Sequence, residues 1–132
     1  MATVTTKLTV SSTDLVSNTL SLALTSKVTA SHTTGLARAP ITSTAKGTSA
    51  GQVTLYTADD FAATAYMYIK NTDSAVTDYV YVYADTAADD PVLLKLAGGD
   101  FALLPLSADT TLKAYTATSG TIVEWMVFGT DA

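Results

Sequence analysis

The stretch "DYVYVYAD", residues 78–85, places Tyr79, Tyr81 and Tyr83 on one side of an extended chain and Val80, Val82 and Ala84 on the other. Successive side chains of a strand point to opposite faces, so this alternation reads as a β-strand with two apolar sides. The aliphatic side is the better core, because Val and Ala carry no polar atom, whereas a buried tyrosine hydroxyl needs a hydrogen-bond partner. The tyrosines are expected to face outward, and the question becomes what covers them.

Residues 65–71, "AYMYIKN", repeat the pattern, with Tyr66 and Tyr68 on one side and Met67 and Ile69 on the other. A hairpin through "NTDSAVT", residues 71–77, would pair the two strands and join Tyr66, Tyr68, Tyr79, Tyr81 and Tyr83 into one patch, with Met67, Ile69, Val80 and Val82 on the core side. Monomers rarely expose so much contiguous apolar surface. Two coverings fit: other segments of the same chain, such as the N-terminal strands, or a neighbouring subunit. Tyrosine is enriched at protein interfaces because it offers broad contact area while ordering few torsions. A carbohydrate platform would add Asn, Gln or Arg beside the rings, and these strands offer mainly Lys70, Asn71 and Asp78 at their ends. Subunit contact through the five tyrosines is the preferred reading.

Alternation with period two dominates the rest of the 132 residues, and helical spacing holds over no convincing length. Strands are expected at Val4–Val10, Leu20–Ala30, Leu36–Thr44, Gln52–Tyr56, Ala65–Lys70, Asp78–Ala84, Val92–Leu96, Asp100–Leu104, Thr110–Thr116 and Thr121–Phe128. Turn-forming clusters separate them, among them Gly98-Gly99, which reads as a tight hairpin turn. Many short strands at such intervals predict an all-β fold, an antiparallel β-sandwich of jelly-roll type by preference. A single domain is expected, with a compositional break inside it: every aromatic residue lies between Tyr56 and Phe128. Aromatics dominate cores, so residues 51–132 should hold the main core. Residues 1–50 then either complete the same sandwich or form an arm that reaches a neighbour, and "STAKGTSAG", residues 43–51, reads as a flexible connection.

Composition removes several function classes. The net charge is −5 and no basic cluster exists, so no nucleic-acid partner is expected, because that affinity comes mainly from Lys and Arg on phosphates. No apolar run approaches the ~20 residues of a membrane helix, and the start lacks the charged opening and apolar core of a signal peptide, so neither a membrane span nor a cleaved leader is expected. Cysteine is absent, which removes disulfides and thiolate chemistry. His32, the only histidine, has no partners for a triad or a transition-metal site. Asp59–Asp60 and Asp89–Asp90 sit in turn-like surroundings without calcium-loop spacing, and read as solvated turn residues. Glu124, the only glutamate, is expected to form a surface ion pair, with Lys113 across the last hairpin as candidate partner. No catalytic residue, cofactor or metal ligand is expected.

Five segments, "VTLYTADDF", "AYMYIKNTDS", "DYVYVYAD", "LLKLAGGDFALLPL" and "SGTIVEWMVFGTDA", together resemble the small all-β virion proteins of tailed bacteriophages, notably those of cyanobacteria and marine bacteria. The resemblance covers the second half of the chain. Its best element is Leu96-Ala97-Gly98-Gly99-Asp100-Phe101 leading to Leu104-Pro105-Leu106; the metal-binding histidines of the cupins, whose sandwiches share such a glycine turn, are absent. It implies a non-enzymatic virion structural protein assembled in the host cytoplasm, a head decoration or cement protein ahead of a tail, neck or fibre component. The implied partners are the major capsid protein or other virion proteins and further copies of the chain, with a trimer preferred.

Overall fold

The computed structural model describes residues 1–15, 17–47, 50–86 and 91–131. All regular structure among them is β: β1 (Ala2–Ser12), β2 (Leu20–Ala30), β3 (His32–Thr33), β4 (Ala37–Ile41), β5 (Val53–Tyr56), β6 (Phe61–Asn71), β7 (Val80–Ala84), β8 (Val92–Leu96), β9 (Phe101–Ser107), β10 (Leu112–Thr116) and β11 (Thr121–Asp131). Two antiparallel sheets pack face to face as a sandwich. In the first, β11 is flanked on one side by β3 and β4, end to end, and on the other by β6 and then β9; the second runs β5–β10–β7–β8. Among the described residues β1 and β2 pair only with each other, as a two-stranded hairpin in register from Ala2↔Ala30 to Ser12↔Leu20.

The core lies between the two larger sheets. Met67 and Ile69 of β6 and Val123 and Val127 of β11 meet Val80 and Val82 of β7 and Leu112 and Ala114 of β10, all buried. These are the side chains that alternation turns inward, and fully burying each large aliphatic one stabilises the fold by about 1.5–3 kcal/mol. Tyr56 and Phe61 are the large aromatic members, and the Tyr56 hydroxyl satisfies its burial by donating to the Ala108 carbonyl at 2.9 Å. From the aromatic-free first part, Ile41 enters this cluster through β4. The first part of the chain thus divides: β3 and β4 extend the first sheet, and β1 and β2 form a separate two-stranded sheet.

Strand pairing departs from the sequence reading in three places. β6 and β7 do not form a hairpin; β6 pairs with β11 and β9, and β7 pairs with β10 and β8 in the other sheet. Gly98 and Gly99 do not make a hairpin turn either, because β8 and β9 also lie in different sheets. β10 and β11 are likewise separated, so Glu124 pairs with Arg38, Nε to Oε2 3.5 Å, while Lys113 pairs with Asp85. One physical cause underlies all three. An inward aliphatic face is satisfied as well by a strand facing it across the ~10 Å between sheets as by one beside it at ~4.8 Å, and alternation does not distinguish the two.

Candidate functional site

The five tyrosines come from two strands on opposite sides of the sandwich, so they do not form one patch. Tyr66 and Tyr68 lie on the outer face of the first sheet, and Tyr79, Tyr81 and Tyr83 on the outer face of the second. On the second sheet Tyr81 stands directly opposite Tyr115 of β10, their rings stacked with centroids 4.9 Å apart and planes 19° from parallel. Lys95 of β8, opposite Tyr81, places its ammonium 3.9 Å from the centre of the Tyr79 ring. Tyr81 and Tyr79 are half-buried.

Tyr83 is only 1% exposed. Its cover is its own chain: the hydroxyl donates to Gln52 Oε1 at 2.8 Å, and the Lys46 ammonium lies 5.5 Å from the ring centre. The connection expected to be flexible is tied down around it, with the Gly51 carbonyl accepting from the Thr42 and Ser43 amides and the Ser43 carbonyl accepting from the Thr116 amide. Residues 48 and 49 of that connection lie outside the described residues. Tyr83 is therefore internal packing and is not available to a neighbour.

On the first sheet, register sets three rows across the outer face. Phe128, Tyr66 and Pro105 form one, Met126, Tyr68 and Leu103 the next, and Arg38, Glu124, Lys70 and Phe101 the third. Tyr66 stacks on Phe128 with centroids 5.8 Å apart, and the Tyr68 hydroxyl donates to Glu124 Oε1 at 3.0 Å. Arg38 is mostly exposed, so its pair with Glu124 contributes at most ~1 kcal/mol.

The hairpin rises over this same outer face. Register puts Val4, Leu8, Val10, Leu20, Leu22, Leu24 and Val28 on one of its faces and Lys7, Lys27 and a run of Thr and Ser on the other. Its root is fixed by the Ser31 amide donating to the Gly129 carbonyl and by Ser31 Oγ accepting from the Asp131 amide, both at 2.9 Å. Beyond the root it diverges from the body, leaving a groove of about 760 Å3 whose walls include Leu8 and Leu24 on the hairpin and Tyr68, Phe101, Leu103 and Met126 on the sheet. Sequence reasoning did not single out these aliphatic residues, although their alternation was visible, because alternation does not tell a covered face from a bare one.

The residues weighed for chemistry stay dispersed. His32 sits on β3 against the Phe61 ring, with Nδ1 4.0 Å from an Asp131 carboxylate oxygen. Asp59 and Asp60 are in the turn before β6, Asp59 with a left-handed φ of 67° and its amide donating to the Ala108 carbonyl. Asp89 and Asp90 lie outside the described residues. Among the described residues no three His, Asp or Glu side chains gather so that they could hold a metal ion.

Among the described residues four groups carry shifted pKa values, all in one direction. Burial raises Tyr56, Tyr68 and Tyr115 above the ordinary 10.0, helped at Tyr68 by its bond to Glu124 and at Tyr115 by the neighbouring Tyr81 and Tyr83. Lys113 is raised above 10.5, chiefly by its hydrogen bond to Asp85. A raised value means that the fold favours the protonated form, so this stability is complete below about pH 10 and is lost as pH climbs through the folded values. Thermal midpoints across a pH series should hold steady up to that point and then fall; a midpoint unchanged to about pH 11.5 would contradict the assignment.

No protein-family model matches the chain, and no curated protein or solved structure matches it either.

Proposed function

We propose that the chain is a non-enzymatic structural protein of a bacteriophage virion, a capsid decoration or cement protein that works by burying surface against other protein subunits. The observation that carries this reading is the hairpin, an amphipathic two-stranded sheet on whose apolar side Leu8, Val10, Leu22 and Leu24 are exposed. Isolated two-stranded hairpins are marginal in water, so one that keeps a row of leucines is best explained by a protein surface to lie on. The aromatic outer faces, with Tyr81 and Tyr115 on one side and Tyr66 and Tyr68 on the other, offer further contact area of the composition that interfaces favour.

Strand order adds support at the level of architecture. Strands β4–β11–β6–β9 facing β5–β10–β7–β8 follow the order of an eight-stranded jelly roll, an arrangement used by viral capsid and lectin domains alike. Fold analogy alone does not decide between them. A sugar platform needs aromatic faces standing free, and here Tyr79 is capped by Lys95 while Tyr81 and Tyr115 cover one another. That favours the structural reading over a carbohydrate-binding module.

The test is the composition of virions purified by density gradient from the phage that encodes the chain. The protein should band with intact particles in regular copy number and survive a moderate salt wash, as an apolar contact would. Its presence only in the soluble fraction of the lysate would overturn the proposal, and retention on a glycan array would then point to the lectin-like alternative; location on isolated tails would move it from head to tail.

A further inference from the structure

We infer that the outer edge of β1 is where two copies of this chain join, strand beside strand, into one four-stranded sheet of order β2–β1–β1–β2; the inference rests on the assembly reading and names its contact. The observation behind it is a difference between the edges of the molecule. An edge strand presents a row of unpaired N–H and C=O groups, and proteins blunt such edges by keeping them short or placing proline in them. Among the described residues every outer strand of the sandwich is blunted in this way. β3, β4, β5 and β8 have between 2 and 5 residues, and β9, with 7, carries Pro105. β1 and β2 have 11 residues each and contain neither proline nor glycine. Two strands are too few for a sheet that is stable in water, so long open edges here call for a further strand.

Of the two hairpin edges, that of β1 is the free one. β2 runs on through Ser31 into β3, and Ser31 is tied to Gly129 and Asp131, so the end of β11 lies alongside the end of β2. Among the described residues β1 pairs with β2 alone. A second copy supplies the matching edge, because antiparallel pairing about a two-fold axis is self-complementary. Residues directly opposite one another share a face, so joining even to even positions carries the row Val4, Leu8 and Val10 on into its symmetry mate. Charge points to the same meeting place. Residues 31–132 hold five cationic and eleven acidic side chains, so two bodies repel one another, whereas the hairpin holds only Lys7 and Lys27 against Asp14.

Charge also selects the register. Pairing β1 over its full length sets Lys7 against Lys7 of the second copy, which is unfavourable. A shift of one register step toward the tip places Leu8 opposite Leu8 and Lys7 opposite Thr9, and moves the two roots, with their acidic bodies, farther apart. Residues 4–12 of each chain then pair, forming about nine main-chain hydrogen bonds, close to the ~10 of a specific interface. Both apolar faces point to the side on which the bodies lie, and the exposed Val10 and Leu22 near each tip come to lie toward the root of the neighbouring hairpin.

The absence of cysteine makes the test direct. Leu8 and Leu24 stand opposite one another on the same face of the hairpin, 52% and 62% exposed, so cysteines at the two positions meet other molecules in free solution about equally often. In the joined sheet the two copies of Leu8 flank the axis with Cα atoms about 5 Å apart, within disulfide reach. The two copies of Leu24 are three strand spacings apart, roughly 14 Å. Under a mild oxidant Leu8→Cys chains should therefore link into pairs on the order of 100-fold faster than Leu24→Cys chains, the ratio of a millimolar effective concentration to a solution of about 10 μM. Equal rates overturn the inference, as does faster linking through position 24. Independently, Thr9→Lys sets two like-charge pairs across the axis and should raise the dissociation constant of the pair about tenfold, and Thr9→Asp should lower it by a similar factor. No change in either variant removes β1 from the contact. A chain that keeps the 13.7 kDa of one copy at every concentration, yet bands with purified particles, overturns the inference and leaves the virion reading standing; absence from particles sinks that reading whatever the mass.

Discussion

Asn71→Leu should destabilise the protein by about 3–5 kcal/mol, a large share of the stability of a small domain. Asn71 is fully buried at the end of β6, where the chain leaves the first sheet for the second. Its Nδ2 donates to the Asp78 carbonyl at 2.6 Å and to the Leu96 carbonyl at 3.0 Å, and its Oδ1 accepts from the Asp73 amide at 3.1 Å. Its backbone reaches the next crossing as well, the amide donating to the Asp100 carbonyl and the carbonyl accepting from the Gly99 amide. The side chain therefore ties the β6–β7 connection to the end of β8, and the backbone of the same residue holds the β8–β9 connection. Leucine has nearly the same shape and none of the polar atoms, so three backbone groups lose partners at a site with little water, each at about 1–3 kcal/mol. Part of that cost is recovered where Asp73 and Asp78 can turn to solvent. A chain of this length should then melt about 10–20 °C lower, a fall that calorimetry reads directly. A change of less than about 1 kcal/mol in urea titrations would show that Asn71 does not hold the crossings.

Gly98→Ala should cost about 2–3 kcal/mol through the same junction, by collision instead of lost bonding. A Cβ on Gly98 would lie 2.3 Å from the Ala75 carbonyl oxygen, 2.8 Å from its carbon and 3.0 Å from the Asp73 carbonyl oxygen. All three are main-chain atoms of the β6–β7 connection, which Asn71 and the Asp73 carboxylate, accepting from the Ala75 amide, hold in place. No flexible side chain can move aside, so the two crossings must part. The effects of Asn71→Leu and Gly98→Ala should be less than additive, because a connection already freed from Asn71 can yield to the new methyl group. Full additivity, or a Gly98→Ala variant within about 0.5 kcal/mol of the parent, would place the strain elsewhere.

These two residues show why the pairing of strands was hidden in the sequence. "NTDS" and "GG" read as hairpin turns because Asn, Asp and Gly favour tight turns wherever they occur. Here the same residues build sheet-crossing connections, and what distinguishes them is a long-range contact: Gly98 against Ala75, and Asn71 against Leu96. A contact between segments more than twenty residues apart leaves no local periodicity to find. Glu124 makes the same point, since its partner on the neighbouring strand proved to be Arg38, far earlier in the chain.

The tyrosines divide along the same line. That Met67, Ile69, Val80 and Val82 point inward followed from the chemistry of their side chains, and all four are buried. Which tyrosines remain accessible did not follow. Tyr83 is covered because Lys46 and Gln52 lie against it, with Gln52 supplying the acceptor for its hydroxyl; Tyr81 on the same face is left with Tyr115 and Lys95.

By itself the sequence determined that the chain is all β, nearly where most strands run, and that Met67, Ile69, Val80 and Val82 face the core, because a period of two separates the two sides of a strand. The tertiary structure alone decided which strands are neighbours, that the five tyrosines lie on two opposite faces, and that β1 and β2 form a separate hairpin with Leu8, Leu22 and Leu24 exposed. Alternation reports that a face is apolar; whether a sheet, a loop or nothing lies against it depends on chain segments brought together only by the fold.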